Sequence, residues 1–177
     1  MCIRDRHSTD YQTKYKLREL VEDGVGILKV GPGLTYAARE GIFSLCMIEE
    51  ELAAVYGFET SHFREELDKA MLANPGKWAP YYHGTENEIA FKRKYSFSDR
   101  CRYYLPQENV KNALAKLLAN LKEHPVPLPL LSQYMPFQYT LVREGKLNNT
   151  PEDLIKARVM YTIEEYTYAS HQEELVR

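Results

Sequence analysis

A single short apolar segment places the strongest limit on how this chain can fold. Residues 25–30, Val-Gly-Ile-Leu-Lys-Val, form a compact run between glycines, which is typical of a strand buried in a parallel sheet. The rest of the sequence contains no second pattern of this kind. Because one parallel strand cannot satisfy its own ladder hydrogen bonds, we expect its neighbouring strands to lie outside this sequence or in a partner chain.

Most of the remaining sequence predicts α-helices. Apolar residues recur three or four positions apart over 34–56 and 107–121, and each pattern marks one long amphipathic helix. The last helix begins with Thr150 as its N-cap and Pro151 in its first turn, and it should run to about Tyr168. Weaker patterns predict shorter helices over 14–22, 60–73, 86–95, 97–104 and 130–143.

Charge and hydropathy argue against several classes of function. The formal net charge of -2 predicts no large basic surface for nucleic acid. No run approaches the roughly 18 apolar residues that a membrane helix requires. The three cysteines, Cys2, Cys46 and Cys101, match no zinc or disulfide spacing, so we expect reduced thiols and a cytoplasmic protein. The acidic run 49–51 predicts a solvated helix face.

The end of the predicted strand is a candidate anion site. Residues 29–35, Lys-Val-Gly-Pro-Gly-Leu-Thr, lead from the strand into a helix, whose first backbone N–H groups are free to bind an anion such as phosphate. Gly31 and Gly33 would present these N–H groups, and Lys29 would add a positive charge. The alternative is a tight turn that requires glycine for steric reasons, and the residues alone leave both interpretations open.

A second candidate is the segment His7-Ser8-Thr9-Asp10. An imidazole binds zinc well, and serine or threonine hydroxyls donate hydrogen bonds to phosphate oxygens. The same four residue types are also common in turns and helix caps, which is the simpler explanation of the segment taken by itself.

A third candidate lies in residues 95–104, Tyr-Ser-Phe-Ser-Asp-Arg-Cys-Arg-Tyr-Tyr. Arg100 and Arg102 have the donor geometry that clamps a phosphate with two parallel hydrogen bonds. Arginine is as common in structural ion pairs, and Asp99 is a ready partner for one. The sequence favours the structural explanation for this segment.

Four blocks of the sequence together resemble the GatZ/KbaZ family of D-tagatose-1,6-bisphosphate aldolase subunits. The blocks are residues 7–12, 27–32, 95–104 and 132–134, and they occur in the order and at the spacing of that family. The resemblance begins at His7 and continues almost to the end of the chain.

The resemblance implies an α/β fold, the C-terminal part of a TIM (β/α)8 barrel of the class II aldolase type. Residues 7–57 would hold the last barrel segments, namely the loop after the seventh strand, the eighth strand and its helix. Residues 58–177 would form a mostly helical C-terminal extension. Residues 1–6 replace the apolar strand that the family has before His7, so we expect them to be a non-native leader, and the chain to be a fragment of a longer protein.

Active sites of such barrels lie at the carboxyl ends of the strands, where phosphate often binds beside the last two loops. The resemblance therefore implies that Ser8, Lys29, Gly31 and Gly33 bind phosphate. It also implies that His7 is a candidate zinc ligand, with the other ligands upstream of this sequence.

The family resemblance implies a non-catalytic subunit of D-tagatose-1,6-bisphosphate aldolase. Such a subunit supports the stability and activity of a separate catalytic subunit in the catabolism of galactitol, lactose or amino sugars, and the ligand would be a sugar phosphate. The alternative is a zinc-dependent 4-epimerase of ketose 6-phosphates such as D-tagatose 6-phosphate. A third reading is a truncated chain without activity. Gly33 and Gly41 stand where helix-favouring residues such as alanine are expected, which should loosen the start of the helix.

Overall fold

The structure, a computed structural model, describes residues 4–7 and 9–172. Two short parallel strands and eight α-helices make up the regular structure of this part, with two 3₁₀ turns at Pro75–Lys77 and Arg100–Tyr103. The strands are β1 (Arg4–His7) and β2 (Val25–Lys29). The helices are α1 (Lys14–Glu22), α2 (Gly33–Tyr56), α3 (Phe63–Ala73), α4 (Glu86–Tyr95), α5 (Glu108–Glu123), α6 (Leu128–Tyr134), α7 (Pro136–Arg143) and α8 (Pro151–Ala169).

The hydrophobic core is helical and centres on α2. Helices α3, α5, α6 and α8 all pack against α2, and α1 packs along α8. Fully buried members of the core are Leu45, Ile48, Leu117, Leu131 and Leu154. The core cluster of the described residues contains no residue of either strand, so the core lies among the helices after β2.

Gly41 allows α2 and α8 to approach closely. A Cβ atom added at Gly41 would lie 3.3 Å from the Cα atom of Ile155 in α8, tighter than ordinary contact. The expectation that glycine loosens α2 at this position was therefore incomplete, since the missing side chain is what lets the two longest helices pack.

The sheet corrects one prediction from the sequence. β1 pairs with β2 in parallel, with Asp5 opposite Ile27 and His7 opposite Lys29, so one neighbour of β2 lies within this chain. The sequence pattern could not mark β1, because Arg-Asp-Arg-His has no apolar alternation. Arg4–Arg6 therefore belong to a strand, and the idea that residues 1–6 are a non-native leader stays a prediction.

β2 is less buried than its sequence predicted. Val25 is buried, but Ile27 is 43% exposed and Val30, just beyond the strand, is 38% exposed. In a complete parallel sheet both faces of such a strand are covered by helices. The described residues form a mostly helical domain with a small parallel sheet, and they do not form a barrel.

The predicted helix boundaries hold closely for α1, α2, α4, α5 and α8. Thr150 caps α8 by accepting a hydrogen bond from the backbone N–H of Asp153, as predicted. Pro136 divides the helix predicted over 130–143 into α6 and α7, because proline lacks an N–H and clashes with the preceding turn. None of the helices in the described residues is both long and apolar enough to cross a membrane.

The prediction that the acidic run of α2 is solvated is confirmed for Glu50 and Glu51, which are exposed, and is wrong for Glu49. Its side chain is buried, and its carboxylate accepts hydrogen bonds from the N–H (2.9 Å) and hydroxyl (2.6 Å) of Ser61 and from Nδ2 of Asn120 (2.6 Å). The three contacts join α2 to the start of α3 and to α5. Because the Ser61 hydroxyl is engaged in this way, α3 starts one residue later than a serine cap would place it, after His62 in a left-handed conformation.

We predict that Glu49→Ala lowers the free energy of unfolding by about 2–4 kcal/mol, because two N–H donors and a hydroxyl lose a charged acceptor in a buried position. Glu51→Ala is the matched control from the same acidic run. Glu51 accepts one exposed hydrogen bond, from Tyr134, and its removal should change the unfolding free energy by less than about 0.5 kcal/mol. Urea unfolding measures the free energy of unfolding of both variants. Equal losses of unfolding free energy in Glu49→Ala and Glu51→Ala would contradict the prediction.

Candidate functional site

Three of the four family-like blocks meet at the start of α2. The segment after β1 (Thr9–Tyr11), the turn after β2 (Gly31–Gly33) and the segment before the second 3₁₀ turn (96–99) contact each other there. This is the carboxyl end of both strands, the edge at which parallel α/β folds place their ligands.

Asp10 occupies the anion position that the glycine turn offers. Its buried carboxylate accepts hydrogen bonds from the backbone N–H of Gly31 (2.8 Å) and of Gly33 (3.1 Å). The geometry predicted from the sequence, free N–H groups at a helix start, is therefore present, and in this structure those groups donate to the protein's own carboxylate. Phosphate binding by Gly31 and Gly33 stays a prediction.

The close approach of Asp10 explains the glycine at position 33. A Cβ atom there would lie 2.5 Å from Oδ1 of Asp10, which no real contact allows. That Gly33 loosens the helix start stays a prediction, and the structure adds a steric reason for glycine at this position. Thr9, the neighbour of Asp10, fixes the same loop by donating from its N–H to the Lys29 carbonyl (3.2 Å), while its hydroxyl lies 3.1 Å from that of Tyr166.

Lys29 and His7 lie side by side at the exposed ends of the two strands. Nζ of Lys29 is 2.6 Å from Oδ2 of Asp5 and 3.2 Å from Nε2 of His7, which is itself 3.2 Å from the same carboxylate oxygen. The hydrogen bond and charge of Lys29 lower the pKa of the Asp5 carboxyl. Ser8, the other residue predicted to bind phosphate, lies outside the described residues.

The residues around His7 do not by themselves fit a zinc site. A catalytic zinc takes three protein ligands and one open position. The described residues contain no cluster of three or more His, Cys, Asp or Glu side chains that could hold a metal, and His7 has Asp5 as its one such neighbour. The ammonium group of Lys29 beside both of them opposes a second cation there.

A buried ion pair fixes the segment 96–99 on α2. Oδ1 of Asp99 is 2.9 Å from Nε of Arg39, its Oδ2 accepts the Thr35 hydroxyl at 2.7 Å, and both charged side chains are almost fully buried. Asp99 adopts a left-handed backbone conformation (φ 46°). Asp99 thus pairs with an arginine, but with Arg39 of α2 and not with Arg100 or Arg102 of its own segment. Its partner Arg39 was not predicted, although a charge on the apolar side of α2 was the available signal.

Arg100 and Arg102, the two predicted phosphate clamps, differ in their surroundings. Nη1 of Arg102 donates to the carbonyls of Ser98 (2.5 Å) and Asp99 (3.0 Å), so this side chain stabilises the turn that holds Asp99. Arg100 instead lies over the ring of Tyr81, 3.1 Å from its centroid, and borders an open cleft.

Two cavities adjoin this junction. The larger, about 840 Å³, lies between α4, the second 3₁₀ turn and the start of α2, and its walls are mainly aromatic. The smaller, about 130 Å³, lies between the segment after β1 and α8, beside the ion pair of Glu40 with Arg158 and the carboxyl of Glu165. Burial raises the pKa of the Glu165 carboxyl, and the charge of Arg158 offsets part of that effect.

Comparison with known proteins settles the family. The family model described as "D-tagatose-1,6-bisphosphate aldolase subunit GatZ/KbaZ-like" matches residues 1–171. The chain belongs to the GatZ/KbaZ-like family. The resemblance read from the four blocks is therefore confirmed, and the match includes the first six residues as well.

A solved structure matches this GatZ/KbaZ-like chain closely. It is the crystal structure of a protein from Sinorhizobium meliloti 1021 titled "a probable tagatose 6 phosphate kinase". The two are 39% identical with a TM-score of 0.85, and the match covers 92% of this chain and 42% of that one. The chain thus spans less than half the length of the solved relative.

We predict that Gly33→Ala lowers the free energy of unfolding when Asp10 is present and raises it when Asp10 is replaced by alanine. In the parent chain the new methyl group displaces the Asp10 carboxylate, and the loss of its two hydrogen bonds should cost about 1–3 kcal/mol of unfolding free energy. In an Asp10→Ala background the clash is gone, and alanine should stabilise the helix by up to about 1 kcal/mol.

The matched control for this pair of backgrounds is Gly41→Ala, in which the added methyl group crowds Ile155 and not Asp10. Its effect on urea unfolding should be the same in both backgrounds. An equal loss for Gly33→Ala with and without Asp10 would contradict the assigned contact.

Proposed function

We propose that the protein serves as a non-catalytic subunit of D-tagatose-1,6-bisphosphate aldolase and supports the catalytic subunit. The observation that carries this proposal is the engagement of Asp10 with Gly31 and Gly33. A site built for catalysis keeps such donors open for charge on the substrate, whereas here they bind the protein's own carboxylate.

The other charged groups at the strand ends support the same conclusion. Lys29 is paired with Asp5, and Arg39 is paired with Asp99 in a buried position. Groups held in this way stabilise the junction of three segments, and they are poorly placed to transfer protons. The alternative, a zinc-dependent 4-epimerase, needs further metal ligands beside His7, which the resemblance places upstream of this sequence.

The ligand class follows from the two names that the comparisons supply. One describes an aldolase subunit and the other a kinase, so they differ in the reaction, but both refer to a phosphorylated tagatose. We therefore infer that the whole protein handles a ketose phosphate. A cytoplasmic location accords with this inference and with Cys46 and Cys101, which are free and buried.

We predict that adding this chain to a catalytic tagatose-bisphosphate aldolase subunit lengthens the half-life of its activity several-fold during warm incubation. The physical reason is mass action, since binding to the folded subunit lowers the population that unfolds. The assay measures cleavage of tagatose 1,6-bisphosphate over time, and an unrelated protein at the same concentration serves as the control.

The same preparation is tested alone for conversion of D-tagatose 6-phosphate to D-fructose 6-phosphate, with and without a chelator. We expect no turnover. Turnover that a chelator abolishes would establish the epimerase instead, and an unchanged aldolase half-life would overturn the subunit proposal for this chain.

A further inference from the structure

The larger cleft next to the strand ends has the composition of a binding site. Four of the aromatic side chains that line it are strongly exposed, namely Tyr81 (59%), Phe91 (62%), Tyr95 (41%) and Phe97 (60%). A contiguous group of exposed large rings is uncommon on a protein that binds nothing there. The cleft volume of about 840 Å³ is within the range of small-molecule sites.

Two cations border the cleft, and neither forms a salt bridge among the described residues. The pKa of the nearby Glu88 carboxyl is lowered mainly by hydrogen bonds from Thr85 and to a smaller extent by the charge of Lys92. Nζ of Lys92 donates to the carbonyl of His83 (2.5 Å), and Nη1 of Arg100 donates to the carbonyl of Lys77 (2.8 Å). Nε of Arg100 is buried without a hydrogen-bond partner among the described residues, so an anion would approach the outer nitrogens of the guanidinium. Both groups therefore keep their positive charge available to an anion.

Arg93, the residue next to Lys92, differs from it by forming a salt bridge with a carboxylate. Arg93 points to the other side of α4, where Nε and Nη2 donate to the two carboxylate oxygens of Asp68 at 2.7 and 3.0 Å. Of these two adjacent cations on α4, Arg93 is therefore held in an ion pair within the protein, whereas Lys92 lines the cleft.

Hydroxyl groups continue the polar side of the cleft. The hydroxyls of Tyr82 and Ser98 are 3.0 Å apart, and those of Ser98 and Ser96 are also 3.0 Å apart. A hydroxyl both donates and accepts, so this row can exchange hydrogen bonds with the hydroxyls of a sugar.

The cleft is tied to the carboxyl ends of the strands. The hydroxyl of Tyr11, four residues after β1, donates to the carbonyl of Phe97 at 2.6 Å. The rings of Tyr11 and Phe97 lie 4.4 Å apart between centroids, and Tyr36 of α2 lies 5.2 Å from Phe97. The cleft is therefore continuous with the edge at which this fold class places its ligands.

We propose that this cleft binds a phosphorylated sugar, with the phosphate held between Lys92 and Arg100 and the sugar against the aromatic walls. The identity of the sugar as a tagatose phosphate rests on the proposed function. The cations supply charge-assisted hydrogen bonds to phosphate oxygens. The position differs from the glycine turn, whose N–H groups are taken by Asp10.

The single tryptophan provides a direct assay. Trp78 stacks on Tyr82, a residue of the cleft wall, with 6.3 Å between ring centroids, so its emission should change when a ligand enters. D-tagatose 6-phosphate is titrated into the 177-residue chain and the dissociation constant is read from Trp78 fluorescence.

Lys92→Gln and Arg100→Gln should each weaken binding about tenfold or more, the loss expected for one charge-assisted hydrogen bond. Lys94→Gln, on the same helix but outside the cleft lining, should leave the dissociation constant unchanged. Inorganic phosphate should compete, and D-tagatose without phosphate should bind at least about tenfold more weakly. Unfolding of each variant in urea identifies any that fails to fold.

An unchanged dissociation constant in both cleft variants would overturn the proposal. Loss of binding in Lys29→Gln alone would overturn it too, because the phosphate would then lie at the strand ends. Tighter binding of ATP than of tagatose 6-phosphate would point to a nucleotide site and likewise reject it. The result is independent of the aldolase assay, since the chain can stabilise the catalytic subunit without binding sugar phosphate, or the reverse.

Discussion

The carboxylate of Asp10 is the contact on which the rest of the junction depends. A helix that starts directly after a strand leaves several backbone N–H groups without partners and places a partial positive charge at that end. Asp10 satisfies the N–H groups of Gly31 and Gly33 and supplies the negative charge from within the chain. It thereby fixes the loop after β1, the turn after β2 and the start of α2 in one arrangement, and Asp99 completes it by pairing with Arg39.

That arrangement separates two kinds of charged residue. Asp10, Lys29, Arg39 and Asp99 are engaged with other parts of the protein, and most of them connect elements that are far apart in sequence. Lys92 and Arg100 border a cleft, where each donates a hydrogen bond to a backbone carbonyl and Arg100 also lies over the ring of Tyr81. The first group fits an architectural role in a GatZ/KbaZ-like subunit. We propose that the second group, Lys92 and Arg100, binds the phosphate of a ligand.

The helices were largely predictable from the sequence because their stability comes from repeating apolar faces. The stripes of α2 and α5 and the Thr150 cap of α8 are local signals, and the structure confirms them. β1 was missed because its four residues have no apolar pattern and form a strand only by pairing with β2.

The site was predictable only in part. The sequence offered the glycine turn either as an anion site or as a tight turn that needs glycine, and it could not show that the anion is Asp10, more than twenty positions earlier in the chain. Arg39 and Glu49 are charges on a mainly apolar helix, and their burial depended on partners in later segments. The cleft was equally hidden, since Tyr81, Lys92 and Arg100 belong to three separate segments that only tertiary packing brings together.

The most direct test of this account is the response of the backbone amides to phosphate. The chain is labelled with ¹⁵N, and its amide resonances are followed while inorganic phosphate is added. We predict that the Gly31 and Gly33 amides do not shift, since Asp10 already accepts from both, and that the amides of cleft residues such as Ser96 and Arg100 do. Saturable shifts at Gly31 and Gly33, with none at the cleft, would contradict it.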